Sequence, residues 1–200
     1  MSAVKLKKIV FICTGNTCRS PMAEYILRQK LKERKLRGFK VASAGVAAKK
    51  GDVINPKSAF VLAQKGMETA TFKVSAVTGK LLKESFVFIC MTDRQREYLM
   101  DMRWNELRKA GAEEIENNVY SFRELVGYEI PDPYGMEIDK YEYVYRLLEG
   151  GMSAIIERLA LTSYALPAKP KTPSLNADGT PKKRGRPKKT VQTEQLRIDI

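Results

Sequence analysis

Cys13-Thr14-Gly15-Asn16-Thr17-Cys18-Arg19-Ser20 stands between an apolar run, Ile9-Val10-Phe11-Ile12, and the helix signal Ser20-Pro21. A buried strand that breaks into a tight loop and then a helix builds an anion cradle. Successive backbone N–H groups converge there, and the helix N-terminus adds positive potential. This cradle opens on a thiol and closes on a guanidinium, so a nucleophile lies beneath the anion and a permanently charged planar donor beside it. The five residues between Cys13 and Arg19 let the chain wrap three oxygens while both ends reach one centre. Gly15 supplies freedom for a left-handed or tight turn, and Asn16 tolerates one better than most residues. Converging amides, the helix dipole and Arg19 all favour the thiolate, the nucleophilic form of cysteine. Ser20 is expected to act as an N-cap acceptor and to donate its proton toward the Cys13 sulfur, and Pro21 suits the first helical position.

Composition narrows the chemistry. Two hundred residues with 44% apolar content support one domain and a tail. The Lys-flanked run at 9–12 is too short for a signal peptide, and no stretch reaches the roughly 20 apolar residues of a membrane span. A soluble, cytoplasmic protein without membrane contact is expected. The chain has three cysteines and no histidine. Ser-His-Asp and Cys-His catalysis and most zinc sites are therefore excluded, and a cysteine nucleophile must be activated by dipoles and cations. Three cysteines, two of them in one loop, make no disulfide framework, and a reducing compartment suits a working thiolate. Neither metal nor cofactor is implied. Of the net charge of +13, residues 165–200 carry nine Lys/Arg against three Asp/Glu, so charge is densest in the tail.

Leu6–Ile12 reads as a buried parallel strand. Ala23, Ile26, Leu27 and Leu31 predict a helix from Pro21, followed by Lys35 and Arg37 before Gly38 as its stop. A second strand over Phe39–Ala42 follows, then a helix over Pro56–Lys65 ended by Gly66, and a short helix over Thr78–Lys83. The strongest strand is Phe86–Met91, and a polar helix runs from Asp93 to about Lys109. Val119–Ser121 is a short fourth strand, and 123–138 reads as a loop around Asp132. The last helix, about Asp139–Leu161, repeats Tyr141, Tyr145, Leu148, Met152, Ile155 and Leu159 in one core-facing stripe. Gly150-Gly151 inside it costs about 1 kcal/mol per residue relative to Ala and marks a point for a kink. Strands alternating with helices give an α/β fold with a parallel sheet whose first strand lies centrally. Ligands of such sheets bind at the carboxyl ends of the strands, where the winding reverses. The Cys13 loop leaves the first strand there.

The string from Val10 to Glu24 resembles the opening of the low-molecular-weight protein tyrosine phosphatases. Ser43-Ala44-Gly45 matches that family's short motif after the second strand, and Asp132-Pro133-Tyr134 its late loop. The resemblance covers about residues 5–162. It implies a flavodoxin-like three-layer sandwich, a four-stranded parallel sheet in order 2-1-3-4, and a catalytic domain over 1–164. It further implies Cys13 as nucleophile, Asp132 as general acid, and a phosphate-binding loop of Thr14, Gly15, Asn16, Thr17, Cys18 and Ser20 closed by Arg19. The implied reaction removes phosphate from phosphorylated protein side chains through a phosphocysteine. With no histidine, a loop carboxyl flanked by stiffening prolines is the natural proton donor.

Each residue also has a plainer reading. Cys13 could be a small apolar strand end, Arg19 a surface cation and Asp132 an ordinary turn residue beside proline. Cys90, ending an apolar strand, reads as core. Cys18 is either a packing residue or the partner of Cys13 in the reversible disulfide associated with the family.

Thr17 and Tyr134 are the expected substrate-pocket residues. Tyrosine-directed members carry a bulky aliphatic residue at the position of Thr17 and a second aromatic at that of Gly135. Thr17 and Gly135 resemble the protein-arginine phosphatase branch, and a hydroxyl there would bond a phosphoguanidinium nitrogen. The reading leans to phosphoarginine, with phosphotyrosine the alternative. Thioredoxin-coupled arsenate reductase shares the fold, but needs two further cysteines where this chain has only Cys90. The third reading lies in the tail. Residues 165–200 have little to bury and are expected to be disordered. Within 181–189, Arg184-Gly185-Arg186-Pro187 resembles an AT-hook, which fits the narrow A·T minor groove. The chain would then contact A·T-rich DNA, or act chiefly as a DNA-binding module.

Overall fold

The structure, a computed structural model, describes residues 6–166 of the chain. Of the expected tail, residues 167–200, with the DNA-binding motif at Arg184, Gly185, Arg186 and Pro187, lie outside the described residues. Four strands, β1 (Lys7–Cys13), β2 (Phe39–Gly45), β3 (Val87–Cys90) and β4 (Val119–Ser121), form one sheet in the order β2-β1-β3-β4. All three pairings are parallel. Both the strand order and the central place of β1 match the expectation.

Side chains of β1 alternate between two cores, which makes the molecule three layers deep. Ile9 and Phe11 pack with α1 (Arg19–Glu33), α2 (Pro56–Gln64), α5 (Phe122–Val126) and α6 (Ile138–Arg158) on one face. Val10 and Ile12 pack with Leu82 of α3 (Gly79–Glu84) and Leu99 of α4 (Asp93–Lys109) on the other. All four are fully buried, each worth about 1.5–3 kcal/mol of apolar burial, so β1 is apolar on both faces from Ile9 to Ile12, while Lys7 and Lys8 at its start are half-buried. A strand sealed on both sides holds its carboxyl end, and therefore Cys13, in a fixed place.

The helix ends follow local chemistry. Gly66 closes α2 at φ +73, with its own N–H on Ala63 and that of Met67 on Leu62, as expected of a C-terminal glycine. α1 stops earlier than its sequence suggested. Lys35, at φ +57, takes the left-handed position, and Leu36 N–H closes back on the Leu31 carbonyl. The helix therefore ends at Glu33, and Gly38 turns the chain into β2. Two short helices were not expected. α5 occupies part of the supposed loop after β4 and is capped by a reciprocal Ser121–Glu124 box. α7 (Leu161–Tyr164) follows a left-handed turn at Ala160.

The stripe on α6 is buried at Tyr141, Tyr145, Leu148, Met152 and Ile155, while Leu159, its C-cap, is half-buried. α6 runs as one helix through Gly150-Gly151. Gly151 is a point of close approach: a Cβ there would lie 2.7 Å from the Phe122 ring. Beyond α7, Leu166 donates its N–H to the Arg37 carbonyl at 2.8 Å.

Candidate active site

The loop between β1 and α1 is fixed from outside, and that aims its amides inward. Val46 N–H donates to the Cys13 carbonyl at 3.0 Å, Ala47 N–H to that of Thr14 at 2.9 Å, and Asn55 N–H to that of Thr17 at 2.9 Å. In a trans peptide the next residue's N–H points opposite to the carbonyl. The N–H groups of Thr14, Gly15 and Cys18 are thereby turned to the inside of the loop. Asn16, not Gly15, takes the left-handed conformation, at φ +56. The glycine that the loop cannot replace is Gly45. A Cβ there would meet Thr14 O at 2.6 Å and the backbone of Gly15 and Asn16 at 2.8 Å.

Cys13 ends β1 at 3% exposure, and its sulfur has two neighbours capable of donating. Asn16 N–H donates to it at 3.2 Å, and Ser20 Oγ lies 2.9 Å away. The expected contact of Ser20 with the sulfur is present, but Ser20 is not the cap. α1 begins at Arg19, Cys18 is the N-cap residue without a side-chain bond, and Pro21 stands third in the helix. Ser20 is thus held inside the first turn by a buried network, receiving the Asn16 side-chain amide at 2.9 Å.

Arg19 is nearly buried and reaches across the site. Its Nη2 lies 2.5 Å from Asp132 Oδ2, and its Nη1 donates to the Ile130 carbonyl at 3.4 Å. The Asp132 loop is anchored at Ile130, whose N–H donates to Met91 at the end of the sheet. Asp132 Oδ1 accepts from Tyr134 N–H at 3.2 Å, which leaves the carboxylate half-exposed at the rim. A cavity of about 570 Å³ opens over this group. Cys13, Thr14, Gly15, Thr17, Cys18, Arg19, Asp132 and Tyr134 all line it. Asn16 and Ser20, fully buried, lie beneath the loop. Sequence separations of more than 110 residues are closed at this point.

Thr17 Oγ1 is 3.6 Å from Cys18 Sγ, and Tyr141 Oη is 3.9 Å from the same sulfur. Burial pushes the Cys18 thiol above its ordinary range, which keeps it protonated as a donor or neutral acceptor in this cluster. All three cysteines are free thiols. Cys90, fully buried in β3, is also raised by burial, as befits its reading as core.

Sequence reasoning missed one wall of the cavity. Gly51, Asp52, Val53, Ile54, Asn55 and Pro56 face the Asp132–Tyr134 side. Asn55 followed by Pro56 was a legible helix start, since Asn55 Oδ1 caps Lys57 N–H at 2.9 Å. Lys57 then bridges the two sides through Nζ, 2.6 Å from the Met136 carbonyl and 3.2 Å from Glu137. Gln95, on the first turn of α4, donates to Thr14 Oγ1 at 3.1 Å and was not foreseen.

Comparison with known proteins agrees with this geometry. Residues 8–163 match the family described as low molecular weight phosphotyrosine protein phosphatase. The low molecular weight protein-tyrosine-phosphatase Etp of Escherichia coli K12 is 30% identical over 161 residues, covering 80% of this chain and 99% of that protein. A protein-arginine-phosphatase of Geobacillus stearothermophilus is 30% identical over 156 residues, covering 76% and 93%. Among solved structures, the YwlE arginine phosphatase, as a Cys-to-Ser mutant with a phosphorylated active site serine, superposes with a TM-score of 0.66 at 26% identity. The match covers 76% of this chain and 95% of that one. With its sheet order, its loop and its late aspartate, this chain belongs to the low molecular weight phosphotyrosine protein phosphatase family.

Proposed function

We propose that the chain hydrolyses phosphorylated protein side chains, with Cys13 as nucleophile, Arg19 and the loop amides as phosphate ligands, and Asp132 as general acid and base. The observation that carries this reading is the convergence of Cys13, Arg19 and Asp132 on one cavity. A phosphoryl dianion seated in the loop competes with Asp132 for Arg19, freeing the carboxyl to face the leaving atom. The Cys13 sulfur attacks phosphorus in line; the S–P bond forms as the P–O or P–N bond breaks, and Asp132 gives its proton to the leaving atom. Water then attacks the phosphocysteine, Asp132 takes its proton, and the S–P bond breaks to release phosphate. The buried Cys90, without a second thiol beside it, disfavours an arsenate-reducing thiol relay.

The substrate that fits best is phosphoarginine. Thr17 lines the cavity with a hydroxyl close to Cys18 Sγ, and a hydroxyl that bonds the thiol still has acceptor capacity for a phosphoguanidinium N–H. Tyr134, 72% exposed, supplies an aromatic side to the mouth. The test is turnover of matched phosphoarginine and phosphotyrosine peptides by the purified full chain. Higher kcat/KM on phosphoarginine supports the reading; a clear preference for phosphotyrosine overturns it.

A second reading rests on sequence alone. Lys182, Lys183, Arg184, Gly185, Arg186, Pro187, Lys188 and Lys189 give the chain affinity for A·T-rich duplex, because the guanine 2-amino group obstructs the groove floor. About four phosphate contacts would give a log K against log salt slope of roughly −3.6. Equal binding of A·T- and G·C-rich duplexes would reduce the motif to a generic basic tail. No helix among the described residues is long and apolar enough to cross a membrane, and a free-thiol nucleophile suits a reducing, cytoplasmic setting.

A further inference from the structure

Glu24 closes the string that opened the sequence reading, yet it does not line the cavity and has no part in the chemistry above. It is 93% buried, on the second turn of α1, with one carboxylate oxygen on Ser43 and the other on Arg28. A buried carboxyl is costly unless its acceptors are used, and the partners it serves lead to the nucleophile. Ser43 Oγ lies 2.6 Å from Glu24 Oε2 and 2.9 Å from Asn16 Nδ2. Asn16 Nδ2 lies 2.9 Å from Ser20 Oγ, which is 2.9 Å from Cys13 Sγ.

The direction of each bond in this chain can be assigned. Ser75 N–H donates to Asn16 Oδ1 at 2.8 Å, so the amide oxygen faces Ser75 and the NH₂ group faces both serines. An amide nitrogen only donates, so Ser20 and Ser43 must both accept from it with their hydroxyl oxygens. Each serine proton then points away from Asn16. The nucleophilic form of Cys13 is a thiolate, which can only accept, so the Ser20 proton falls on its sulfur; that of Ser43 falls on Glu24. If the Glu24 acceptor is lost, the Ser43 proton is stranded in a buried site. Ser43 then turns to find another acceptor and takes its oxygen away from Asn16, whose amide no longer holds both serines.

We propose that Glu24 is a positioning residue for Cys13, fixing the hydrogen-bond direction of Ser43, Asn16 and Ser20 so that Ser20 donates to the sulfur. This rests on the proposed role of Cys13 but predicts a property that turnover is not needed to read. What Glu24 must supply is an acceptor toward Ser43, not a charge.

The experiment measures the rate of Cys13 alkylation by iodoacetamide in the full chain, the modified residue being located by mass spectrometry and stability followed by thermal denaturation. Glu24→Leu, which removes the acceptor, is expected to slow alkylation about 3- to 10-fold, the scale of one lost net hydrogen bond. Glu24→Gln, which keeps an acceptor, stays within about twofold of wild type. In a Ser43→Ala background, Glu24→Leu causes no further slowing, because the link is already cut. If Glu24→Leu does not fold, Glu24→Met removes the same acceptor and enters the same cycle. Alkylation at the wild-type rate in the acceptor-less variant, or an equal slowing with and without Ser43, overturns the proposal. Activity surviving in Cys13→Ser would instead overturn the catalytic reading, so the two failures are distinct.

Discussion

Gly45→Ala tests whether the cradle is shaped from outside. The added Cβ would stand 2.6 Å from Thr14 O and 2.8 Å from the backbone of Gly15 and Asn16, all main-chain atoms that no rotamer change can move. Reaching the 3.4 Å of ordinary contact requires the loop to open by 0.6 to 0.8 Å. Overpacking of this kind costs about 1–3 kcal/mol, and a displacement near 1 Å at reacting groups costs on the order of 100-fold in rate. The shift also strains the Val46 and Ala47 bonds that turn the loop carbonyls outward. Expected outcomes are a Tm lower by roughly 3–10 °C and vanadate binding weakened at least about tenfold by calorimetry. Gly150→Ala is the matched control. Its Cβ meets only Tyr128 Oη at 3.9 Å, so the helix gains about 0.5–1 kcal/mol. Wild-type vanadate affinity and Tm in Gly45→Ala would refute the reasoning.

Three further outcomes follow from named contacts. Asp132→Ala should slow peptides with poor leaving groups by about 10²–10⁴-fold while largely sparing an activated aryl phosphate; steady-state kinetics showing equal loss on both would make Asp132 structural. Thr17→Ile should lower kcat/KM on phosphoarginine peptides roughly 5- to 150-fold and spare phosphotyrosine, the scale of one unpaired buried polar group; parallel loss on both removes Thr17 as a determinant. Burial raises the Glu24 carboxyl above its ordinary value, outweighing the pull of Ser43 and Arg28. The folded state therefore holds that proton more tightly than the unfolded chain. Its stabilising contribution is full below about pH 4.3 and is lost as pH rises through the raised folded value. Urea titrations should show Glu24→Gln gaining on wild type as pH rises; a flat or falling difference contradicts the sign.

The parts of the molecule legible in sequence were those with a strong local signal. An unbroken apolar run gave β1, periodicity gave α6, and C-x₅-R with Ser20 gave the loop. Sheet order came from the resemblance rather than from any pattern in the residues. The short α5 was missed because five residues show no periodicity, although its Ser121-x-x-Glu124 box was written in the chain. Glu24 was unreadable for a different reason. The first half of α1 is buried on all sides, from Arg19 to Leu27, so no amphipathic stripe distinguishes an inward carboxyl from a solvated one. Gly15 and Gly45 show the same limit: which glycine a loop depends on is decided by what approaches it, and Gly45 lies 30 residues from Gly15 in sequence.

The central claim is that phosphate passes through the sulfur of Cys13. The most direct measurement is rapid acid quench of the full chain during turnover, followed by mass spectrometry of the peptide spanning Lys8 to Arg19. The account predicts a phosphoryl group on Cys13 that appears within one turnover, decays as phosphate is released, and persists longer in Asp132→Ala, whose water attack lacks a base. Steady turnover with no label on Cys13, or with the label on another residue, would contradict it.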